Sequence, residues 1–145
     1  MATKLILSAT EANNYVKYLT GFSSSLSGGS SVFMALGTSN GTTFTEITPN
    51  AANNYARCMI KSGSSYPDVL TVSGRKVYNH EQIVFNKVLS EAYTAPAIAL
   101  YRQETGGTPY AFGLLDEPLT ATVGSLPMFE RNALQIIIPD GNETE

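Results

Sequence analysis

Nucleophilic catalysis needs a thiol or hydroxyl beside a base that a third group holds in place. In this chain of 145 residues the one thiol is Cys58 and the one imidazole is His80, so a single pair could supply that chemistry. Cys58 lies within Tyr55-Ala-Arg-Cys-Met-Ile-Lys61, a run that reads as a strand with alternating apolar neighbours. A cysteine so placed behaves as a small buried hydrophobe, and catalysis by it is not expected. His80-Glu81 begins like a zinc-protease helix motif, but the position four residues after His80 is Val84 and the segment reads as a strand. With one cysteine and one histidine there is no zinc site of Cys/His spacing. We expect no metal, no cofactor and no catalytic residues. His80 reads as a surface or hydrogen-bonded residue.

Asp116-Glu117 could be taken as paired carboxylates for general acid–base work. Adjacent residues on a strand face opposite ways, however, and before Pro118 the pair is more simply a solvated turn. Gly28-Gly29-Ser30-Ser31 lacks the lysine of a phosphate-binding loop, and its expected helix precedes the glycines instead of following them. Asn40-Gly41-Thr42 and Asn142-Glu143-Thr144 match a glycosylation acceptor without a secretion signal to deliver them. Tyr55, Tyr78, Tyr101 and Tyr110 lie on or beside expected strands and could stack on sugar or on a partner, although packing is the commoner role of such residues.

The elements that must position these residues are mainly β. Ser8-Ala9-Thr10-Glu11 has the spacing of a capping box. Ala12, Tyr15, Val16 and Leu19 follow on one helical face, with Gly21 where a left-handed cap belongs, so one short helix is expected over residues 9 to 20. A flexible serine- and glycine-rich loop follows to Ser31. Val32 to Leu36 reads as a strand buried on both faces, and Thr43 to Ile47 alternates as a half-exposed strand does. Pro49-Asn50 and Asn53-Asn54 frame a turn-rich loop, since Asn tolerates the left-handed backbone. Around Ser73-Gly74, residues 69–72 and 76–78 could be short strands whose pairing stays open. Ile83 to Phe85 is a strand. Ala95 to Tyr101 and Tyr110 to Leu115 form a hairpin around Gly106-Gly107, glycine supplying the positive backbone angle. Asp116-Glu117-Pro118 ends it, Thr120 to Val123 follows, and Ala133 to Ile138 closes the fold. Short strands at intervals of about ten residues predict a β-sandwich or barrel-like single domain with one short N-terminal helix. Its parts are an arm at 1–7, the helix at 9–20, a β-domain at 32–138 and a polar tail at 139–145.

Charged residues are 14% of the chain and the net charge is −3, while Ser, Thr, Asn and Gly together supply about a third. A neutral, hydroxyl-rich surface with a slight negative balance disfavours nucleic acid and anionic membranes as partners. The apolar stretch at Leu5-Ile6-Leu7 is too short for a signal peptide, and no run approaches a membrane span. A soluble protein made in a cytoplasm is expected.

The order of segments resembles small structural modules of tailed bacteriophages, described as tail-fibre-like, with some domains of this kind serving as capsid decoration. The resemblance rests on the short helix, then Val32-Phe-Met-Ala-Leu-Gly-Thr-Ser39, then Asn53-Asn54-Tyr55-Ala56-Arg57. Next come Ala97-Ile-Ala-Leu-Tyr101 before Gly106-Gly107, Thr120 to Gly124, Pro127-Met128-Phe129, and the closing Ala133 to Ile136. It departs at Ala92-Tyr93-Thr94, where a Trp-Gly pair is usual, and over residues 62–80. The resemblance implies a non-enzymatic structural protein of the virion exterior, made in the bacterial host, on capsid or on tail and baseplate. Its implied partners are other virion proteins and further copies of itself in a homo-oligomer. The alternative is a carbohydrate-binding module for a host-surface glycan, and a small hydrolase ranks below both. Leu5 and Leu7 are the candidate interface residues: the arm precedes the capped helix, and its apolar side chains call for cover. That cover is either an edge of the chain's own sheet or a neighbouring subunit's sheet.

Overall fold

The computed structural model describes residues 2–4, 6–7, 31–61, 70–73 and 76–137. The expected helix at 9–20, the Gly28-Gly29 loop and the tail at 139–145 lie outside the described residues. In chain order the strands are β1 (Ala2–Lys4), β2 (Ile6–Leu7), β3 (Val32–Ser39), β4 (Phe44–Glu46), β5 (Cys58–Lys61) and β6 (Leu70–Ser73), then β7 (Lys76–Asn79), β8 (Ile83–Val84), β9 (Tyr93–Tyr101), β10 (Ala111–Ala121), β11 (Met128–Phe129) and β12 (Gln135–Ile137). The protein is mainly β.

The largest sheet runs β2-β10-β9-β3-β4, with β5 also on β3. It ends at β2 on one side and at β4 and β5 on the other, so among the described residues it is open, and the barrel alternative is not met. Its central strands β3 and β9 carry almost unbroken apolar runs because both faces are covered. On one face Met34, Leu36, Ile98 and Leu100 join a buried cluster with Phe85, Phe129, Leu134 and Ile136. On the other, Ala35, Ala99, Tyr101 and Phe112 form a second cluster against Phe33 and Phe44. The sheet β1-β12-β7-β6 and the pair β11-β8 complete the architecture. β6 and β7 pair antiparallel, from Leu70 opposite Asn79 to Ser73 opposite Lys76, which closes the pairing the sequence leaves open. The arm's backbone reaches both large sheets of its own chain: β1 runs parallel to β12, and Leu7 of β2 lies opposite Ala111 of β10.

Two expected boundaries are corrected. The strand read over Tyr55 to Lys61 begins only at Cys58, because Tyr55 and Arg57 leave the Asn-rich turn bonded through their side chains to Glu46. The β9–β10 hairpin runs further than expected. Asp116-Glu117-Pro118 does not end a strand; β10 continues through it, and its register against β9 shifts between Leu114 and Leu119. The shift falls opposite Pro96, between the Ala97 and Ala95 pairings. Proline has no amide proton for a ladder, so a central strand holding Pro96 has to break its pairing there. The bulge on β10 takes up the mismatch with a second proline of its own.

Asn79, the last residue of β7, is fully buried. Its side-chain amide donates to the carbonyls of Glu81 (2.9 Å) and Glu130 (2.7 Å), and its Oδ1 accepts from the Leu134 amide (2.9 Å). One side chain thereby joins the turn after β7 to the turn before β12. Asn79→Ala leaves the Leu134 amide without that partner in a dry site, and we expect a loss of about 2 kcal/mol, read by urea denaturation.

Candidate functional site

The best-built polar constellation is one that no motif announces, and it starts in the Asn-rich turn. Asn50 Oδ1 accepts from the amides of Ala52 (2.9 Å) and Asn53 (2.7 Å), and Asn53 Oδ1 accepts from the Tyr55 amide (2.9 Å). Asn54 takes the left-handed conformation, at φ 56°, as the asparagines there lead one to expect. The chain reverses, and Tyr55 to Arg57 come to lie against β4.

Tyr55 Oη accepts from the Leu36 amide (2.9 Å) and donates to Glu46 Oε2 (2.7 Å). Arg57 meets the same carboxylate with two nitrogens, Nε to Oε2 at 2.9 Å and Nη2 to Oε1 at 2.8 Å. Its Nη1 donates to the carbonyls of Gln103 and Gly106, each at 2.9 Å. The guanidinium lies 3.5 Å over the ring of Tyr101. The Arg57 side chain is only 4% exposed and that of Glu46 21%, so the pair works largely out of water. The fork geometry is what arginine offers and lysine does not.

The electrostatics favour holding over proton transfer. The hydrogen bond to Glu46 pushes the Arg57 pKa further up, and burial above all drives the Tyr55 phenol far above its ordinary value. Neither group exchanges a proton near neutrality. The cluster therefore fixes position: it ties the backbone of β3 and the end of β4 to the tip of the β9–β10 hairpin. There Gly106 and Gly107 adopt φ of 68° and 76°, the positive angles expected of that turn.

A pH dependence follows from three tyrosines. Burial raises the phenols of Tyr55, Tyr93 and Tyr101 above their unfolded value near 10. A folded pKa above the unfolded one means that the contribution is complete below pH 10 and falls as pH rises beyond it, because the unfolded chain then releases protons that the folded chain keeps. Stability read by urea midpoints is expected to fall steeply above about pH 10. The fall begins before the phenols of Tyr55, Tyr93 and Tyr101 ionise in the folded chain.

The residues singled out for chemistry are not brought together in this way. The Cys58 thiol sits beside main-chain groups, with the Met59 carbonyl oxygen at 3.9 Å and Val84 as its other partner. No hydrogen bond joins it to His80, which stands in the bend after β7. Burial pushes the Cys58 thiol up, away from the thiolate a nucleophile needs. Asp116 and Glu117 are exposed on the β10 bulge. Of the tyrosines considered for stacking, Tyr55 and Tyr101 are each 4% exposed, while Tyr78 and Tyr110 are half-buried, Tyr110 beneath the guanidinium of Arg102 at 4.3 Å. Among the described residues no three of His, Cys, Asp and Glu converge as a metal site. The cluster's sequence signal was slight: a lone arginine two positions after a tyrosine, in an otherwise uncharged stretch.

Residues 7–137, which include the whole of this cluster, match the model of a family described as podophage GP4 fiber I protein gp80. The chain belongs to that family. No curated protein matches the sequence. Membership supports the tail-fibre-like resemblance and, with it, a structural role in the virion. The segment from Tyr55 to Arg57 that carried part of the resemblance is thus, in this fibre protein, the part that locks the hairpin.

Proposed function

We propose that this fibre protein is a non-enzymatic building block of a tailed-phage particle, mounted on the tail side through contacts with other virion proteins. The observation that carries the reading is the family match across residues 7–137, whose description is of a fibre and not of a capsid protein. The geometry agrees with it, because the largely buried pair of Glu46 and Arg57 holds a hairpin in place. Low charge suits a part that packs among other proteins, because interface cores are depleted of charged residues. A glycan-reading role finds less support, since two of its four candidate tyrosines are buried.

Particles made with and without the gene, compared by mass spectrometry and electron cryomicroscopy, test the reading. We expect the protein's density to vanish from the tail while the capsid is unchanged. Density lost from the capsid overturns tail mounting. Saturable binding on a glycan array, lost in Tyr110→Ala, overturns the building-block reading in favour of host recognition.

A further inference from the structure

Six large hydrophobic side chains among the described residues are well exposed: Met59, Val84, Leu89, Leu114, Val123 and Leu126. Three of them fall on two loops that are bonded to each other. The Val88 amide donates to the Ser125 carbonyl (2.9 Å), and the Gly124 amide donates to the Val88 carbonyl (2.8 Å). Val88 itself is fully buried, so this junction is anchored in the core and its neighbours Leu89, Val123 and Leu126 border it on the solvent side at 53%, 57% and 51% exposure. The third loop of this end supports them: the amides of Ser90 and Glu91 donate to the Ala52 carbonyl, and Asn54 Nδ2 donates to the Lys87 carbonyl. Three large apolar side chains exposed around one hydrogen-bonded junction carry a standing cost in water that association would remove.

The charges around the patch say which partner fits. Leu89 is centred between Lys87 and Glu91, two residues before it and two after, both exposed and of opposite sign. Among the described residues Lys87 makes no ion pair, and Glu91 Oε1 accepts a 3.2 Å bond from the exposed amide of Asn50. In an antiparallel apposition of two such loops about an axis at Leu89, each Lys87 meets the other copy's Glu91 while the leucines meet at the centre. Such a surface is complementary to itself, as a two-fold interface requires.

We propose that the face formed by Leu89, Val123 and Leu126 receives a second copy of this chain across a two-fold axis at Leu89, with Lys87 and Glu91 pairing reciprocally at its rim. The inference goes beyond virion mounting and is tested on the isolated protein, so that its failure leaves the mounting experiment untouched.

Sedimentation velocity over a concentration series is the test, with circular dichroism confirming that each variant is folded. We expect a dimer whose share grows with concentration, and a monomer throughout for Leu89→Asp. Lys87→Glu and Glu91→Lys are each expected to weaken dimerisation about tenfold, and the two together to return it to near the parent value, since the swap restores opposite charges across the axis. A parent protein that stays monomeric, a trimer, a dimer indifferent to Leu89→Asp, or a double swap no better than the single changes overturns the proposal.

Discussion

Gly37→Ala is expected to destabilise the protein by about 3 kcal/mol or more, lowering Tm by roughly 10 °C for a chain of this size. Gly37 is in β3, opposite Glu46 of β4, and its backbone is of an ordinary kind, so conformational freedom is not the issue. Space is. A Cβ at this position overlaps the carbonyl oxygen of Thr45, and it lies 2.7 Å from Phe44 Cζ and 2.9 Å from Glu46 Cα. Two of these three are main-chain atoms, which no rotamer change moves aside. Relief requires β4 to lift from β3, which withdraws the Phe44 ring from Tyr101 and Phe112, each now 6.4 Å away between centroids. It also shifts Glu46 from Arg57. Thermal and urea denaturation read the loss, and a Tm within 2 °C of the parent's, less than 1 kcal/mol, would contradict this account of the β3–β4 contact.

Arg57→Ala is expected to cost about 2 kcal/mol, because removing one partner of a largely buried ion pair leaves Glu46 inadequately compensated. Here it also strips two carbonyls, those of Gln103 and Gly106, of their donor. Hydrogen exchange at the hairpin tip should accelerate more than in the strands around it, since the tip loses its tether while β9 and β10 keep their ladder. Arg57→Met combined with Glu46→Gln should recover a measurable part of the loss: the amide oxygen still accepts from Tyr55, and no charge is left buried. That recovery is the coupling between neighbours that a double-mutant cycle isolates. If the single and double variants are equally unstable, the pair is not acting as a unit. If the tip exchanges no faster in Arg57→Ala, the clamp has been misassigned. A largely buried ion pair is a poor source of net stability compared with apolar packing, and what this one adds is a tether from β4 to the hairpin carbonyls.

The mainly β character, the long β9–β10 hairpin with its left-handed glycines, the Asn-rich turn with Asn54 at positive φ, and the double-sided burial of β3 were all legible from residue type and spacing. These are local properties: a left-handed backbone selects Gly or Asn at that residue, and an uninterrupted apolar run reports its own burial. The continuation of β10 through Asp116-Glu117-Pro118 was not legible. A Pro-containing acidic triplet looks the same whether it ends a strand or bulges out of one, and what decides is Pro96, on the neighbouring strand some twenty residues earlier. Gly37 likewise reads as one more glycine in a strand until β4 crosses it. The Glu46, Tyr55 and Arg57 cluster joins side chains to a carbonyl as far as 49 positions away. Sequence spacing carries information over a turn or two of helix or along one strand, and that distance lies beyond it. The sequence by itself determined most of the segments that extend, the glycine and asparagine turns and which family the chain resembles. Only the tertiary structure decided which strands are neighbours and which charges go into the interior, because those outcomes depend on the fit of surfaces that meet after the chain has folded.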